Sequence, residues 1–436
     1  MLSLRIVERL NKIVLVSYYW PPSGGPGVQR WLSLAHWIQD RGMDLTVIIP
    51  EKPFYPQIDE GLSDSISNNI KVVKVRSIEP LRWINRLSLG TSKNYSKGLI
   101  SNENSSWFKK LAFWLRANYF FPDARLFWSK AVIQYLKREI EGPITLITTG
   151  PPHSTHLVGL RLKGLFEQIK WISDLRDPIA DLGYLKLLPL TERTKNKHIR
   201  LEKAIISQSD AIVTTSFSLT RHLSERYKDY GEKIQCITNG YDGNLSENNS
   251  APEGFYLVHS GSLFTHRNAV NLWHAISKRI KNSKDWRSHL KIYLVGEVAK
   301  EVKHTLIHLG LEPYVAFLGY QTKEYCEQLE RKAACLLLLE SSVSGYHYAI
   351  PGKLFNYLKA RRPILAIGPD NWDVQKILDS QTLHLVTSDS ELMIGPYLDL
   401  IFSRYLSNQK MIVNNDISAF SRSFTAEQYV KLIKRL

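Results

Sequence analysis

A chain of 436 residues, 44% of them hydrophobic and 22% charged, is too long for one hydrophobic core and predicts a folded protein of two or three domains. Three cysteines (Cys236, Cys326, Cys335) show no metal-ligand spacing and no disulfide framework, which fits a reducing compartment. The N-terminal MLSLRIVERLNK lacks a signal-peptide core and no run approaches a membrane span, so the expectation is a cytoplasmic protein, while the net charge of +16 points to an anionic partner.

The first predicted strand is KIVLVS (12–17). It is followed by YWPPSGGPGVQR, whose prolines fix a turn and whose Gly24, Gly25 and Gly27 let a ligand approach the backbone; a helix starting near Val28 points free N–H groups into the same space. LSLAHWIQDRG continues that helix and stops at a glycine, and LTVIIP (45–50) is the second strand. Residues 70–140 then carry 14 Lys and Arg against four acids, a local +10, interleaved with Trp, Tyr and Phe. Such a mixture suits an anionic membrane surface, nucleic acid, or a solvated basic face over core aromatics.

Further strands follow as ITLITTG (144–150), WISDLR (171–176), AIVTTS (211–216) and IQCITNG (234–240). Between the last two lies SFSLTRHLSERY, a helix capped by a serine. The loop TTGPPHSTH places His153 after a strand, where an imidazole could position or deprotonate an acceptor hydroxyl or could simply pack. DLRDP places Asp174, Arg176 and Asp177 at the next strand end, as ligands of sugar hydroxyls or as a structural ion pair.

A polar stretch, NGYDGNLSENNSAPEG, marks a boundary near 245–254. The strand–helix alternation then restarts with FYLVHSGS (255–262), a helix near 269–280, LKIYLVGE (290–297), YVAFLGY (314–320), ACLLLLES (334–341) and PILAIGP (363–369). Continuous apolar strands alternating with helices predict two doubly wound α/β domains, which bind ligands at the carboxyl ends of their strands, here in a cleft between the two. In the second half, HSGSLFTHRN offers Gly261, Ser262 and Arg267, a backbone nest beside a cation. IPGKLFNYLKA places Gly352 and Lys353 at a helix start; both patterns suit a diphosphate. No metal-binding motif accompanies them, so the charge is expected from Arg and Lys, with no metal and no cofactor.

Taken in order, GGPGVQR, TTGPPHSTH, DLRDP, TNGYD, HSGSLFTHRN and PGKLFNYLKARRPILAI resemble the GT-B glycosyltransferases of the family-4 type, most of all bacterial members that build surface polysaccharides. The resemblance runs from Lys12 to the last helix. It implies two facing Rossmann-like domains: residues 1–250 binding the acceptor, 251–414 binding a nucleotide sugar, and a helix of about 415–436 returning to the first. It implies metal-independent hexosyl transfer with retention, at the inner membrane face, to a lipid-linked or glycan acceptor, for which Asp174, Arg176 and Asp177 are the candidate ligands. It places Gly24, Gly25 and Gly27 near the donor phosphates, His153 near the reacting sugar, Arg267 and Lys353 on the leaving diphosphate with Gly261, Ser262 and Gly352, and Gly296 with Leu318, Gly319 and Tyr320 beside the base. Two glutamates common in relatives are replaced here by Tyr348 and Asn356; Asn356 would hold the donor ribose without charge, and Arg267 stands where many relatives have lysine. Alternative readings are a nucleotide-sugar epimerase on the same plan and a nucleic-acid-binding protein; the first reading takes no nucleic-acid partner.

Overall fold

Runs of Ile, Val and Leu that are buried on both faces pair in parallel, and the chain arranges them as two sheets. The computed structural model describes residues 12–55, 58–64, 66, 67, 69–76, 114, 117–181, 189–243, 252–341, 348–378, 383–409, 411–413 and 416–436. They divide into two units, one ending at Asn239 but including Arg422–Leu436, the other running from Gly240 to Ser421.

The first unit holds β1 (Ile13–Val16), β2 (Leu45–Pro50), β3 (Lys71–Val75), β4 (Ile144–Gly150), β5 (Ile169–Leu175), β6 (Ala211–Thr214) and β7 (Ile234–Cys236), parallel, in the order β3-β2-β1-β4-β5-β6-β7. Its helices are α1 (Pro26–Asp40), α2 (Leu126–Glu139), α3 (His156–Lys163), α4 (Glu192–Gln208), α5 (Phe217–Arg226) and the C-terminal helix Arg422–Arg435. The order reverses between β1 and β4, so the loops after those strands border the crevice in which doubly wound sheets take ligands. The first helix begins at Pro26, two residues before Val28, because Gly25 at φ +114° supplies the turn and proline fits the first helical position. Ser216 caps α5, accepting from the Leu219 N–H at 3.3 Å. One core gathers Trp20, Trp31, Ile38, Val47 and Ile147 under Tyr429, Val430 and Ile433 of the C-terminal helix.

The second unit holds β8 (Phe255–Ser260), α6 (Val270–Asn282), α7 (Lys284–His289), β9 (Leu290–Val295), α8 (Lys300–His308), β10 (Val315–Gly319), α9 (Lys323–Lys332), β11 (Cys335–Leu339), α10 (Lys353–Ala360), β12 (Ile364–Ile367), α11 (Val374–Ile377), β13 (Leu385–Thr387) and α12 (Glu391–Leu406). Its sheet is parallel in the order β10-β9-β8-β11-β12-β13, reversing between β8 and β11. The sequence reading lacks β3 and β13. Both are edge strands: β3 mixes lysines with valines and is half-exposed, and β13 is three residues long, so neither shows a continuous apolar run.

Most of the basic aromatic segment, including Lys109, Lys110 and Arg116, lies outside the described residues. Within its described part, Trp128 is 1% exposed and meets Tyr18 edge-on at 5.4 Å, so this tryptophan belongs to the core and not to a lipid-facing stripe. Tyr119, at 71% exposure, does face solvent. Among the described residues no helix is long and apolar enough to cross a membrane.

Candidate functional site

In the second unit three strands end in glycines of positive φ: Gly261 after β8 (+114°), Gly296 after β9 (+103°) and Gly319 closing β10 (+63°). The Gly261 N–H donates to the Val295 carbonyl at 2.9 Å, and the Gly296 N–H to the Gly319 carbonyl at 2.6 Å. A Cβ on Gly296 would stand 2.8 Å from the Gly261 carbonyl carbon, so backbone lies on backbone at the open end of the sheet. Ser262 and Leu318 are half-buried beside this stack, Gly261 and Gly319 are exposed, and Tyr320 is 66% exposed.

At the β8–β11 reversal the sheet presents charge. Gly352 caps α10 and Lys353 opens it, with no acid in the first turn. The Lys353 Nζ donates to His259 Nε2 at 3.2 Å and lies over Gly261, where a Cβ would come within 3.1 Å of it. Burial, and then the Arg267 cation, pull the ammonium down to about 7, against the pull of Glu340 and Glu330. Arg267, in a single turn after β8, donates through Nε to Glu340 Oε1 at 2.6 Å. Among the described residues its terminal nitrogens have no hydrogen-bond partner, and its side chain is 22% exposed. Glu340 directly follows the leucine-rich β11 and also accepts from the Ser341 N–H at 3.0 Å. Asn356 is half-buried three residues beyond Lys353, on the same face of α10. This arrangement can hold a dianion: two cations with free N–H donors beside exposed backbone at a helix start.

In the first unit the β1–β4 reversal places His153 in a short turn before α3, 5% exposed, with neither ring nitrogen hydrogen-bonded among the described residues. Burial, then His198 and Arg176, pull its pKa down to about 3, so the ring is neutral. The turn is fastened by Asp123, whose carboxyl accepts from the Ser154 N–H (2.8 Å), the Ser154 hydroxyl (2.8 Å) and the Arg125 N–H (2.9 Å). Arg125 in turn lies over the Tyr18 ring at 4.7 Å.

One expectation is corrected here. Asp174 is fully buried and its carboxyl is taken by Thr149 Oγ1 (2.7 Å), Trp31 Nε1 (3.0 Å), Tyr429 (3.4 Å) and Arg30 (3.5 Å). It ties α1 and the C-terminal helix to β5 and has no oxygen left for a sugar hydroxyl. Gly27 makes room for a side chain: a Cβ there would fall 1.5 Å from a terminal nitrogen of Arg176. Arg176 is in turn held by the carbonyls of Gly150 (3.0 Å) and Pro151 (2.9 Å). Asp177 is half-buried beside it, its pKa raised by burial and lowered less by Arg176. Gly24 and Gly25 are half-buried in the turn before α1.

The sequence reading misses His259, Glu340 and Asp123. The first two carried a usable signal, a single polar residue near the end of an apolar strand. Asp123 carried none, because its partner is brought to it only by the fold. Among the described residues no His, Cys, Asp and Glu cluster could hold a metal.

No protein-family model matches the chain, and no curated protein matches it in sequence. Solved structures do match. Sucrose-phosphate synthase from Thermosynechococcus elongatus aligns over 98% of both chains at 13% identity with a TM-score of 0.63. Anabaena HepE, in complex with UDP and glucose, aligns over 98% of this chain and 100% of its own at 14% identity, also at 0.63. WaaG, a glycosyltransferase involved in lipopolysaccharide biosynthesis, aligns over 97% and 99% at 12% identity and 0.59. With two parallel sheets that each reverse order once and end in these loops, the chain has the GT-B glycosyltransferase fold, built from two Rossmann-like domains.

Proposed function

We propose that the protein is a glycosyltransferase that binds a nucleotide-sugar donor on its second unit. The observation that carries the reading is the pair of cations at the β8–β11 reversal, Lys353 and Arg267, both with free N–H donors beside the Gly261 backbone. A nucleoside diphosphate matches that charge and donor set, and the resemblance to HepE, solved with UDP and glucose, supports it. Gly261, Ser262 and Gly352 supply backbone N–H groups to the phosphates. Asn356 meets the ribose, and Gly296 with Leu318, Gly319 and Tyr320 border the base.

In transfer, the bond from the sugar anomeric carbon to the diphosphate oxygen breaks and a bond to an acceptor hydroxyl oxygen forms. The hydroxyl proton leaves with the diphosphate. Charge developing on the leaving oxygen is met by Lys353 and Arg267, so the reaction proceeds without a metal ion. His153, neutral and without a hydrogen-bond partner among the described residues, hydrogen-bonds a sugar or acceptor hydroxyl, and Arg176 and Asp177, at the end of the neighbouring strand, serve the same purpose. Retention of configuration, a lipid-linked or glycan acceptor and contact with an anionic membrane surface complete the reading.

The test is incubation with a panel of nucleotide sugars and a membrane extract, with and without a chelator, beside titration with UDP, GDP and ADP. One nucleoside diphosphate should bind and its sugar should be transferred with chelator present. Each charge-assisted contact contributes about 1.5–3 kcal/mol, so Arg267→Ala and Lys353→Ala should each weaken that binding by about one to two decades. Unchanged binding in both variants would end the assignment.

A further inference from the structure

Resting on that donor reading, we propose that His259 is a positioning residue of the phosphate clamp: the lone pair of its Nε2 holds the Lys353 ammonium over Gly261, aimed at the open carboxyl end of the sheet. His259 is the penultimate residue of β8 and is fully buried. Its Nδ1 lies 2.9 Å from the Leu337 carbonyl of β11, which can only accept. The proton is therefore on Nδ1, and Nε2 presents a lone pair. Lys353 Nζ lies 3.2 Å from that nitrogen, and the Gly261 backbone stands close to the same ring. The same Leu337 carbonyl accepts from the Tyr357 hydroxyl at 3.3 Å, and that hydroxyl accepts from the Ser260 N–H at 2.8 Å, so strand and helix are locked around the imidazole.

Why an imidazole stands here follows from the charges around it. The charged and titratable groups facing Lys353 are Arg267 from the turn after β8, Glu340 directly after β11, Glu330 from α9 and His259 itself. Glu340 is committed to Arg267 and the Ser341 N–H. Glu330 is buried and its carboxyl is pushed up to about 7, chiefly by that burial. A carboxylate bonded to Lys353 would cancel the charge that a phosphate must meet. A neutral imidazole directs the ammonium and leaves its charge uncompensated. Burial keeps His259 neutral, with its pKa well below the usual value. An incoming diphosphate supplies the missing anion, so binding restores a proton to any Lys353 that has lost one.

The experiment titrates the intact protein with UDP, GDP and ADP, from about pH 6.5 to about pH 9, above the last phosphate ionisation of a nucleoside diphosphate at about 6. Wild-type affinity should be flat to about pH 7 and then fall by up to about tenfold per pH unit. Lys353→Arg should abolish the fall, since guanidinium does not titrate there. His259→Gln, whose amide oxygen reaches the place of Nε2, should keep the bend and stay within about threefold of wild type. His259→Asn keeps a donor for Leu337 but no acceptor for Lys353; its bend should move down by about one pH unit and its affinity at pH 7.5 should fall about tenfold. His259→Leu serves if the Asn protein does not fold. A second arm needs no ligand: the rate of arylation of Lys353 by dinitrofluorobenzene, read by peptide mass against pH. Its midpoint should sit at about 7 in wild type and Gln, and about one unit lower in Asn or Leu. An unchanged midpoint in Asn and Leu, or a Gln protein that behaves like them, would overturn the role of His259. A wild type that binds no nucleotide yet shows the midpoint shift would defeat the donor reading and leave the pairing standing.

Discussion

Among the described residues, His153 keeps two unsatisfied ring nitrogens in a site nearly closed to solvent, and the Asp123 carboxyl fastens the turn that holds it there. A buried polar group without a partner costs about 1–3 kcal/mol, so this histidine is expensive to the fold. Replacing it with an apolar ring of similar size should therefore leave stability unchanged or raise it. In the role proposed above the same change removes a hydrogen bond to substrate. The expected result for His153→Phe is a urea midpoint at or above wild type with turnover lowered by about tenfold or more. A midpoint that falls with turnover intact would make His153 a packing residue. Position was legible in the sequence: His153, Arg267 and Lys353 are read there as following strands, and the fold places each in a segment after a strand, which is where parallel sheets meet ligands. Asp174 follows a strand too, and there the rule misled. Trp31, Thr149 and Tyr429 surround it, and only the folded chain brings together residues so far apart in sequence.

At the level of elements, the glycines ending β8, β9 and β10 let three strand ends stack main chain upon main chain. Gly296 is the most constrained of them, at φ +103° with the Gly261 carbonyl carbon 2.8 Å from where a Cβ would stand. Gly310 has a positive φ of +71° but open space around it. Gly310→Ala should cost about 1 kcal/mol through conformation alone, and Gly296→Ala about 2 kcal/mol or more because strain and overlap add. Denaturant unfolding measures both. Only Gly296→Ala should also weaken nucleotide binding, because relief of its clash displaces Gly261 and Ser262; equal effects on binding would remove this turn from the donor site. Strand identity was legible wherever a strand is buried on both faces. It failed at β3 and β13, where half-exposure removes the apolar signature, and it could not order the strands, since parallel neighbours are set by helices packing over the sheet.

At the scale of the whole chain, the second unit interrupts the first, which is completed by Arg422–Leu436. Tyr429, Val430, Leu432 and Ile433 enter the core of the first unit, and burying each is worth about 1.5–3 kcal/mol. That sum rivals the whole stability of an ordinary domain, about 5–15 kcal/mol. A chain ending at Ser421 should lose hydrogen-exchange protection in β1, β4 and β5 while β8, β9 and β11 keep theirs. Protection retained throughout would show that the helix is dispensable. The second unit needs nothing from those last residues: its ends are clasped to each other, the Tyr241 N–H donating to the Phe420 carbonyl at 3.0 Å.

That clasp has a consequence for the order of events on the ribosome. Domains fold as units while the chain is being made, usually the N-terminal one first. Here the first unit must wait, its sheet lacking a covering helix until the second unit has been made, while the second unit has all its own parts earlier. Arg422 to Leu436, translated only after the whole second unit, therefore act as the release signal for the first, and a nascent protein stalled just short of them exposes the apolar surface around Trp31 and Ile38 to whatever holds unfinished chains in the cell.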